Sequence, residues 1–190
     1  MNTILKTIER AAELHQKQFR KGERKLPYIS HPFGVAFLLA KYTDDENIII
    51  ASLLHDVLED VPGYYLSDMI TEFGEVVTSY VEEVSEQKDP NVPTDKKQDW
   101  KFRKVKYLEH LSTASEGALL ICAADKLHNL ITKFRDFNTH GTDMRLRFNA
   151  SKEQQQWYYN EILTVLKQKL NNPIVTELES VLTEAQVMFA

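Results

Sequence analysis

The sequence predicts an all-α protein, built as one helical bundle of about eight to nine helices. Apolar residues recur at helical spacing along most of the chain, and no segment alternates apolar and polar residues as a strand would. The six glycines and six prolines make up only 12 of the 190 residues, about half of their average usage, which favours long helices over many turns. We expect residues 1–190 to form a single domain, with residues 151–190 packed as a C-terminal extension.

The first helices are predicted from their start signals. Apolar spacing over residues 4–15 indicates one helix, and Pro32 begins a second, since a proline at the first helical position loses no hydrogen bond. Thr43 and Glu46 have the spacing of a capping box and begin a third helix over about residues 45–59.

The remaining helices follow from periodicity and from the positions of glycine and proline. Gly74 divides a short helix over residues 66–73 from another over residues 75–86. Helical spacing predicts four more helices, over residues 100–111, 116–137, 151–170 and 173–189. Residues 87–99 are polar and contain two prolines, so we expect a loop there, and it is the best candidate for a mobile lid.

Composition excludes several classes of protein. Apolar residues make up 43% and charged residues 27% of the chain, which excludes a disordered chain and a membrane protein. The net charge of −5 argues against general binding to nucleic acid or to anionic membranes. The only cysteine, Cys122, can form no internal disulfide, and the N-terminus lacks the apolar core of a signal peptide. We therefore expect a soluble cytoplasmic protein.

The third predicted helix carries a dense group of polar residues among apolar ones. The side chains of His55 and Asp56 diverge by about 100° on a helix and can hold an ion between them. Glu59 and Asp60 follow within about one turn, and no lysine or arginine in this stretch offsets the three carboxylates. Like charges at this spacing destabilise a helix by about 0.2–0.5 kcal/mol per pair, and a bound cation would relieve them. An exposed acidic helix end is the alternative interpretation.

Two further positions could complete such a site. His31 stands just before the second predicted helix, where a lone histidine is more often a cap or a packed ring than a ligand. Asp125 interrupts an apolar segment, and a core-facing aspartate is costly unless a cation or a hydrogen-bond network satisfies it. Asn129 and Thr132 follow on the same helical face, and His128 is a less favoured fourth ligand.

Two histidines and two aspartates thus form a candidate metal site. They are His31, His55, Asp56 and Asp125. Mixed imidazole and carboxylate ligands suit Mn²⁺, Fe²⁺ or Zn²⁺ better than Mg²⁺ or Ca²⁺, which prefer oxygen ligands alone. The site depends on the fold, because His31 and Asp125 lie far from the other two residues in sequence.

This pattern resembles the H…HD…D signature of the HD-domain metal-dependent phosphohydrolases. The surrounding segments are similar to one branch of that family, the small single-domain alarmone (guanosine 3′,5′-bis-diphosphate, ppGpp) hydrolases of the Rel/SpoT type. The matching segments are residues 15–21, 27–32, 55–60 and 125–129. The His-Asp-x-x-Glu-Asp extension and the Arg-Lys pair before Pro-Tyr-Ile are the most specific of these matches.

The resemblance implies a single HD-type hydrolase domain and assigns roles to the matching residues. One Mn²⁺, with Fe²⁺, Co²⁺ or Zn²⁺ as alternatives, would be held by His31, His55, Asp56 and Asp125. The acidic pair near the attacking water would be Glu59 and Asp60. A small-molecule nucleotide substrate would be contacted by Arg20, Lys21, Asn129 and Thr132. We expect neither nucleic acid nor a membrane as a partner, because the chain is acidic and its apolar runs are short, and the oligomeric state stays open.

Other basic and aromatic residues have plainer interpretations. We interpret Arg24 and Lys25 as part of a solvated surface turn. A second basic cluster is interpreted mostly as a solvated helix face, of which one or two members could reach the distal phosphates: Lys96, Lys97, Lys101, Arg103, Lys104 and Lys106. The aromatic residues 157–159 are expected to pack the C-terminal helices rather than to stack on a base.

Three functional hypotheses follow. The first is hydrolysis of ppGpp at its 3′-diphosphate with release of pyrophosphate. The second, a broader HD phosphohydrolase acting on another nucleotide or phosphate ester, is kept because Val61 and Ser85 depart from the branch pattern. The third is a nucleotide-binding module without turnover, and the complete ligand set with Glu59 and Asp60 argues against it.

Overall fold

The computed structural model describes residues 3–20, 25–86, 100–140 and 150–189, and within these ranges it confirms an all-α fold. Nine α-helices and one 3-10 helix follow one another there. They are α1 (Thr3–Leu14), α2 (Ser30–Leu39), α3 (Glu46–Leu54), α4 (Val57–Asp60), α5 (Leu66–Val84), α6 (Trp100–Leu111), α7 (Glu116–His140), α8 (Lys152–Lys169), α9 (Pro173–Glu184) and the closing 3-10 helix (Ala185–Met188). The polar segment 87–99, with the lid predicted there, lies outside the described residues.

Helix α2 begins two residues earlier than predicted. Ser30 is its first residue and Pro32 its third. The prediction that Pro32 opens the helix is therefore wrong, but the proline still costs nothing, because the first four N–H groups of a helix have no intrahelical acceptor. The shift places His31 inside the first turn of the helix.

Helix α3 is capped by a different residue from the one predicted. Asp45, not Thr43, is the N-cap, and its carboxylate accepts a 2.8 Å hydrogen bond from the Asn47 N–H. The Thr43 hydroxyl instead accepts from the Asp45 N–H at 3.2 Å. The aspartate takes the cap position because its side chain reaches an N–H group that the helix leaves without an acceptor.

The predicted helix over residues 45–59 is interrupted at the candidate metal ligands. α3 ends at Leu54, and the one-turn helix α4 begins at Val57. His55 Nδ1 lies 2.8 Å from the Ser52 carbonyl oxygen, so the ring competes for an acceptor that a continuous helix would use. Asp56 has φ −96° and ψ −4°, which lies at the edge of the helical region. The break changes the directions in which the two ligand side chains leave the backbone.

The predicted boundary at Gly74 is present as a kink. α5 runs from Leu66 to Val84, and Gly74 inside it has φ 83° and ψ 169°, a conformation that is essentially restricted to glycine. The two predicted helices are therefore two arms of one kinked element.

Helix α7 is the centre of the bundle. It contacts α2, α3, α5, α8 and α9, and residues 118–124 on it are buried, including Cys122. Because α7 carries Asp125 at the end of this buried run, packing against α2 and α3 fixes where that carboxylate lies. Among the residues that the structure describes, no helix is both long and apolar enough to cross a membrane.

Candidate active site

Three elements bring the four predicted metal ligands together. His31 comes from the first turn of α2, His55 and Asp56 from the break between α3 and α4, and Asp125 from α7. His31, His55 and Asp56 each offer a ligand atom within 4.8 Å of the others. Asp125 Oδ1 lies 3.1 Å from His31 Nε2 and 3.8 Å from His55 Nε2. These separations suit atoms that surround one ion at bond lengths of about 2.0–2.2 Å.

The protonation of His55 fits a metal ligand. A carbonyl oxygen only accepts, so the contact with Ser52 places the proton on Nδ1 and leaves the Nε2 lone pair directed at the carboxylates. Nε2 is buried and makes no hydrogen bond within the described part of the chain, although Asp56 Oδ2 lies 3.2 Å away. Burial lowers the pKa of His55, but the charges of Asp56 and Asp125 outweigh burial and raise it to about 9. The site thus favours a positive charge at Nε2, which a metal ion supplies without a proton.

The two carboxylates of the candidate metal site, Asp56 and Asp125, are anionic and contact neighbouring cations and hydroxyl groups. Burial alone would raise their pKa values, but His55 and His31 hold the pKa of Asp56 well below its usual range, and Lys126 with His31 does the same for Asp125. The Tyr28 hydroxyl donates to Asp56 Oδ2 at 2.6 Å. Hydrogen bonds of this kind orient the side chains that bind a metal and tune the affinity of the site for the ion.

Asp125 uses its two oxygens on different sides. Oδ1 faces the histidines and accepts from Asn129 Nδ2 at 2.5 Å. Oδ2 accepts from Lys126 Nζ at 2.6 Å. The carboxylate therefore divides the candidate metal site from the space around Lys126.

His128, predicted as a less favoured ligand, contacts His31 rather than the centre of the site. Its Nδ1 lies 2.8 Å from His31 Nδ1. Burial, followed by the charges of His31 and Arg20, lowers the pKa of His128 to about 4, so the ring is neutral and can accept the His31 N–H. Gly34 makes room for it, because a Cβ at residue 34 would lie 2.3 Å from His128 Nε2.

The predicted acidic pair lies beside the candidate metal site. Both Glu59 and Asp60 line a cavity of about 410 Å³ that also contains the metal ligands. The Glu86 N–H donates to Glu59 Oε1 at 2.7 Å. Burial raises the pKa of Glu59 to about 7, partly opposed by this hydrogen bond. Gln18 Nε2 donates to the Asp60 carbonyl at 2.5 Å and connects α4 to the segment that follows α1.

The predicted substrate residues are only partly brought together. Arg20 lines the cavity, and its Nη2 donates to Asn129 Oδ1 at 3.2 Å and to the Thr132 hydroxyl at 3.4 Å. Asn129 also lines the cavity, whereas Thr132 touches Arg20 without lining it. The predicted contact at Lys21 lies outside the described residues, as does Arg24, and Lys25 is exposed.

The second basic cluster divides into exposed and cavity-lining members. Lys106 is exposed and pairs with Glu109 at 3.1 Å, whereas Arg103 and Lys104 both pair with Glu86. Lys104 lines the cavity together with Lys126. Lys96 and Lys97 lie outside the described residues.

Several cavity residues carried no predicted role. Tyr28 and Lys126 stand inside the matching segments, so their positions next to the ligands were a usable signal. No sequence signal marked Glu86 and Tyr107, because only the packing of α5 against α6 brings them to the cavity. Tyr158, predicted to serve packing, is buried against Trp100 and Tyr107 and also lines the cavity.

Comparisons with known proteins agree with this geometry. A sequence profile described as HD domain matches residues 7–165. The chain is 39% identical over 129 residues to the guanosine-3′,5′-bis(diphosphate) 3′-pyrophosphohydrolase MESH1 of Xenopus tropicalis, covering 67% of each protein. It is 37% identical over 137 residues to MESH1 of Homo sapiens, covering 71% of this chain and 69% of that one.

A solved structure has the same fold over nearly the full chain. It is that of a metazoan ortholog of SpoT, described as hydrolysing ppGpp and playing a role in starvation responses. The TM-score is 0.73 at 27% identity, covering 97% of this chain and 96% of the other. The chain therefore belongs to the HD domain family, in the branch of the small guanosine-3′,5′-bis(diphosphate) 3′-pyrophosphohydrolases.

Proposed function

We propose that the protein is a metal-dependent 3′-pyrophosphohydrolase of ppGpp. The observation that carries the proposal is the convergence of two histidines and two aspartates from three helices beside a partly buried glutamate in one cavity. The activity named for the relatives supports the choice of substrate.

In the proposed reaction, a water oxygen forms a bond to the phosphorus that is attached to the ribose O3′. The bond between that phosphorus and O3′ breaks, O3′ takes a proton, and pyrophosphate leaves with the water oxygen. The chain must therefore orient a water, accept its proton, and neutralise charge on the phosphoryl oxygens.

Four side chains would hold the metal ion. They are His31, His55, Asp56 and Asp125. Their mixed nitrogen and oxygen donors favour Mn²⁺, with Fe²⁺, Co²⁺ or Zn²⁺ as alternatives. When bound, the ion would lower the pKa of a coordinated water and polarise a phosphoryl oxygen.

The remaining roles are assigned to residues of the cavity. Glu59 has a pKa of about 7, so near neutrality it can accept a proton from water and later release it. Asp60 would help to orient the water. Substrate contacts are assigned to Arg20, whose planar donors suit a phosphate, to Asn129 beside it, and to Lys21 and Thr132.

Hydrolysis of a nucleotide panel tests the proposal. The purified protein is incubated with ppGpp, GTP, GDP and simple phosphate esters, with Mn²⁺ or with a chelator, and the products are identified by phosphorus NMR. We expect ppGpp to yield pyrophosphate in the presence of Mn²⁺ and to yield none in the presence of the chelator. Orthophosphate from other esters without pyrophosphate from ppGpp would replace the proposal by a broader phosphohydrolase, and tight binding without turnover would replace it by a binding module.

The domain arrangement and the cellular location are also inferred. We infer one domain over residues 1–190, with residues 151–190 as a C-terminal extension, because α8 and α9 both pack on α7. A cytoplasmic location is supported by the lone buried cysteine, Cys122. The proposed partner is a small nucleotide, and the acidic composition argues against nucleic acid.

A further inference from the structure

The cavity extends beyond the candidate metal site into a space here called the inner arm, which is formed by Lys104, Tyr107, Lys126 and Tyr158. Both ammonium groups lie over the same two rings. Lys104 Nζ is 5.1 Å from the Tyr158 ring centre and 5.9 Å from that of Tyr107, and Lys126 Nζ is 5.7 Å and 5.5 Å from them. Two lysines from different helices thus meet in one buried space.

Lys126 is anchored directly to a proposed metal ligand, and Lys104 is connected to the proposed proton acceptor through Glu86. Lys126 bonds Asp125 Oδ2, the oxygen directed away from the histidines. Lys104 bonds the Glu86 carboxylate at 2.5 Å, and the Glu86 N–H holds Glu59. The inner arm therefore lies between a metal ligand on one side and the proposed proton acceptor on the other.

The anchors leave hydrogen-bonding capacity in the arm. An ammonium group has three N–H donors, and among the described residues one hydrogen bond is found for each of the two lysines. Their side chains are 19% and 15% exposed, and both face the cavity. Asp125 and Glu86 each offset one of the two charges, so the arm holds both lysines in place while N–H groups remain to bind a phosphate oxygen.

We propose that the inner arm binds the terminal phosphate of the diphosphate group that is cleaved, with Lys104 and Lys126 as its donors. This inference rests on the proposed function. Pyrophosphate leaves as one unit, so its second phosphate must be accommodated beside the phosphorus under attack. Only the Asp125 carboxylate separates the inner arm from the proposed metal ion. The arm therefore supplies ammonium N–H donors next to the phosphorus under attack. The two lysines would make the protein select a 3′-diphosphate over a 3′-monophosphate.

A binding experiment separates this selectivity from catalysis. In the Glu59→Gln background, loaded with Mn²⁺, calorimetry compares ppGpp with guanosine 5′-diphosphate 3′-monophosphate. Charge-assisted hydrogen bonds predict that ppGpp binds about ten- to a hundredfold more tightly. Adding Lys104→Met should reduce this preference to about two- to threefold by weakening ppGpp alone. Lys106→Met, an exposed lysine on the same helix, should leave the preference unchanged.

Other outcomes overturn the inference. A preference that survives Lys104→Met, or affinities for both nucleotides that fall by the same factor, would show that the lysine is structural or acts only through general charge. If Lys104→Met does not fold, as judged by circular dichroism, Lys104→Gln takes its place, and absence of any preference in the Glu59→Gln parent also refutes the proposal. Failure of the proposed function is distinct, because it is absence of ppGpp hydrolysis by the unaltered protein.

Discussion

His55 illustrates at the residue scale how the backbone prepares the site. The Ser52 carbonyl accepts the Nδ1 proton, so Nε2 is the ring nitrogen that faces the carboxylates and exchanges its proton for an ion. The same contact helps to end α3 at Leu54. One hydrogen bond therefore links the helix break to the orientation of a metal ligand.

Removing a ligand and removing the proposed proton acceptor should have different effects. Asp125→Ala deletes the carboxylate beside both histidines, and we expect metal and activity to be lost together. Glu59→Gln should retain the metal and lower kcat by about a hundredfold or more, because a general base is worth about 10²–10⁴ in rate. Metal content by mass spectrometry and kcat on ppGpp measure the two effects. Equal metal loss in both variants would make Glu59 a ligand.

The pH dependence of stability should reveal Glu59 in the metal-free protein. Burial raises its pKa from 4.5 to about 7, so the folded state holds a proton that the unfolded chain releases above about pH 4.5. The stability from this group is complete below that pH and is lost as the pH rises through about 7. The free energy of unfolding of the wild type relative to Glu59→Gln should fall by about 2–4 kcal/mol between pH 5 and pH 8.

Urea unfolding with a chelator, at pH 5, 6.5 and 8, measures this difference. Glu13→Gln, at an exposed position on α1, is the control and should show little pH dependence relative to the wild type. A constant difference between the wild type and Glu59→Gln would mean that the carboxyl group is already ionised at pH 5.

Gly34 should support metal binding through the room that it leaves for the His128 ring. A methyl group there would meet the His128 ring at 2.3 Å and displace the partner of His31 Nδ1. Gly34→Ala should weaken Mn²⁺ binding by about ten- to a hundredfold, the usual effect of losing such a partner. Phe37→Ala, an exposed position on the same helix, is the control.

A double variant identifies the cause. If the clash acts through the ring, Gly34→Ala combined with His128→Ala should bind Mn²⁺ no more weakly than His128→Ala alone. Additive losses would show instead that the extra methyl group disturbs α2 itself.

At the element scale, the sequence predicted which helices exist and in what order better than it predicted where each helix begins and ends. Periodicity located the helices because their apolar faces pack around α7. It missed the break at His55, since the apolar residues Leu53, Leu54, Val57 and Leu58 keep helical spacing through it. The interruption arises from a side-chain contact with a carbonyl group, which no apolar pattern encodes.

The kink in α5 was predictable because its cause is one residue. Gly74 has φ 83° and ψ 169°, and a Cβ atom added to it would meet no other atom within 4 Å, so an alanine there is opposed by backbone strain and not by crowding. We expect Gly74→Ala to lower the free energy of unfolding by about 1–3 kcal/mol. Chemical denaturation measures the loss. Ser79→Ala, exposed on the same helix, should stay within about 0.5 kcal/mol, and a stabilised Gly74→Ala would mean that α5 straightens instead.

At the scale of the whole molecule, the site could be predicted only where a local motif contains its residues. The ligands and Glu59 stand in short segments that resemble a family, and the fold brings them together. The inner arm combines Lys104 on α6 with Lys126 on α7, and no local pattern relates these two positions. Glu86 is another case, since its ion pairs with α6 and its N–H bond to Glu59 exist only after α5 and α6 pack.

Metal binding should stabilise the whole bundle, because the ligands join α2, the break after α3, and α7. An ion that binds only the folded state adds about 2.7 kcal/mol when its concentration is a hundred times Kd. The wild type should therefore unfold at a higher temperature in Mn²⁺ than in chelator. Glu59→Gln should keep this shift and Asp125→Ala should lose it. An equal shift in Asp125→Ala would mean that the stabilising ion binds elsewhere. The stabilisation would then not come from an ion that joins these helices.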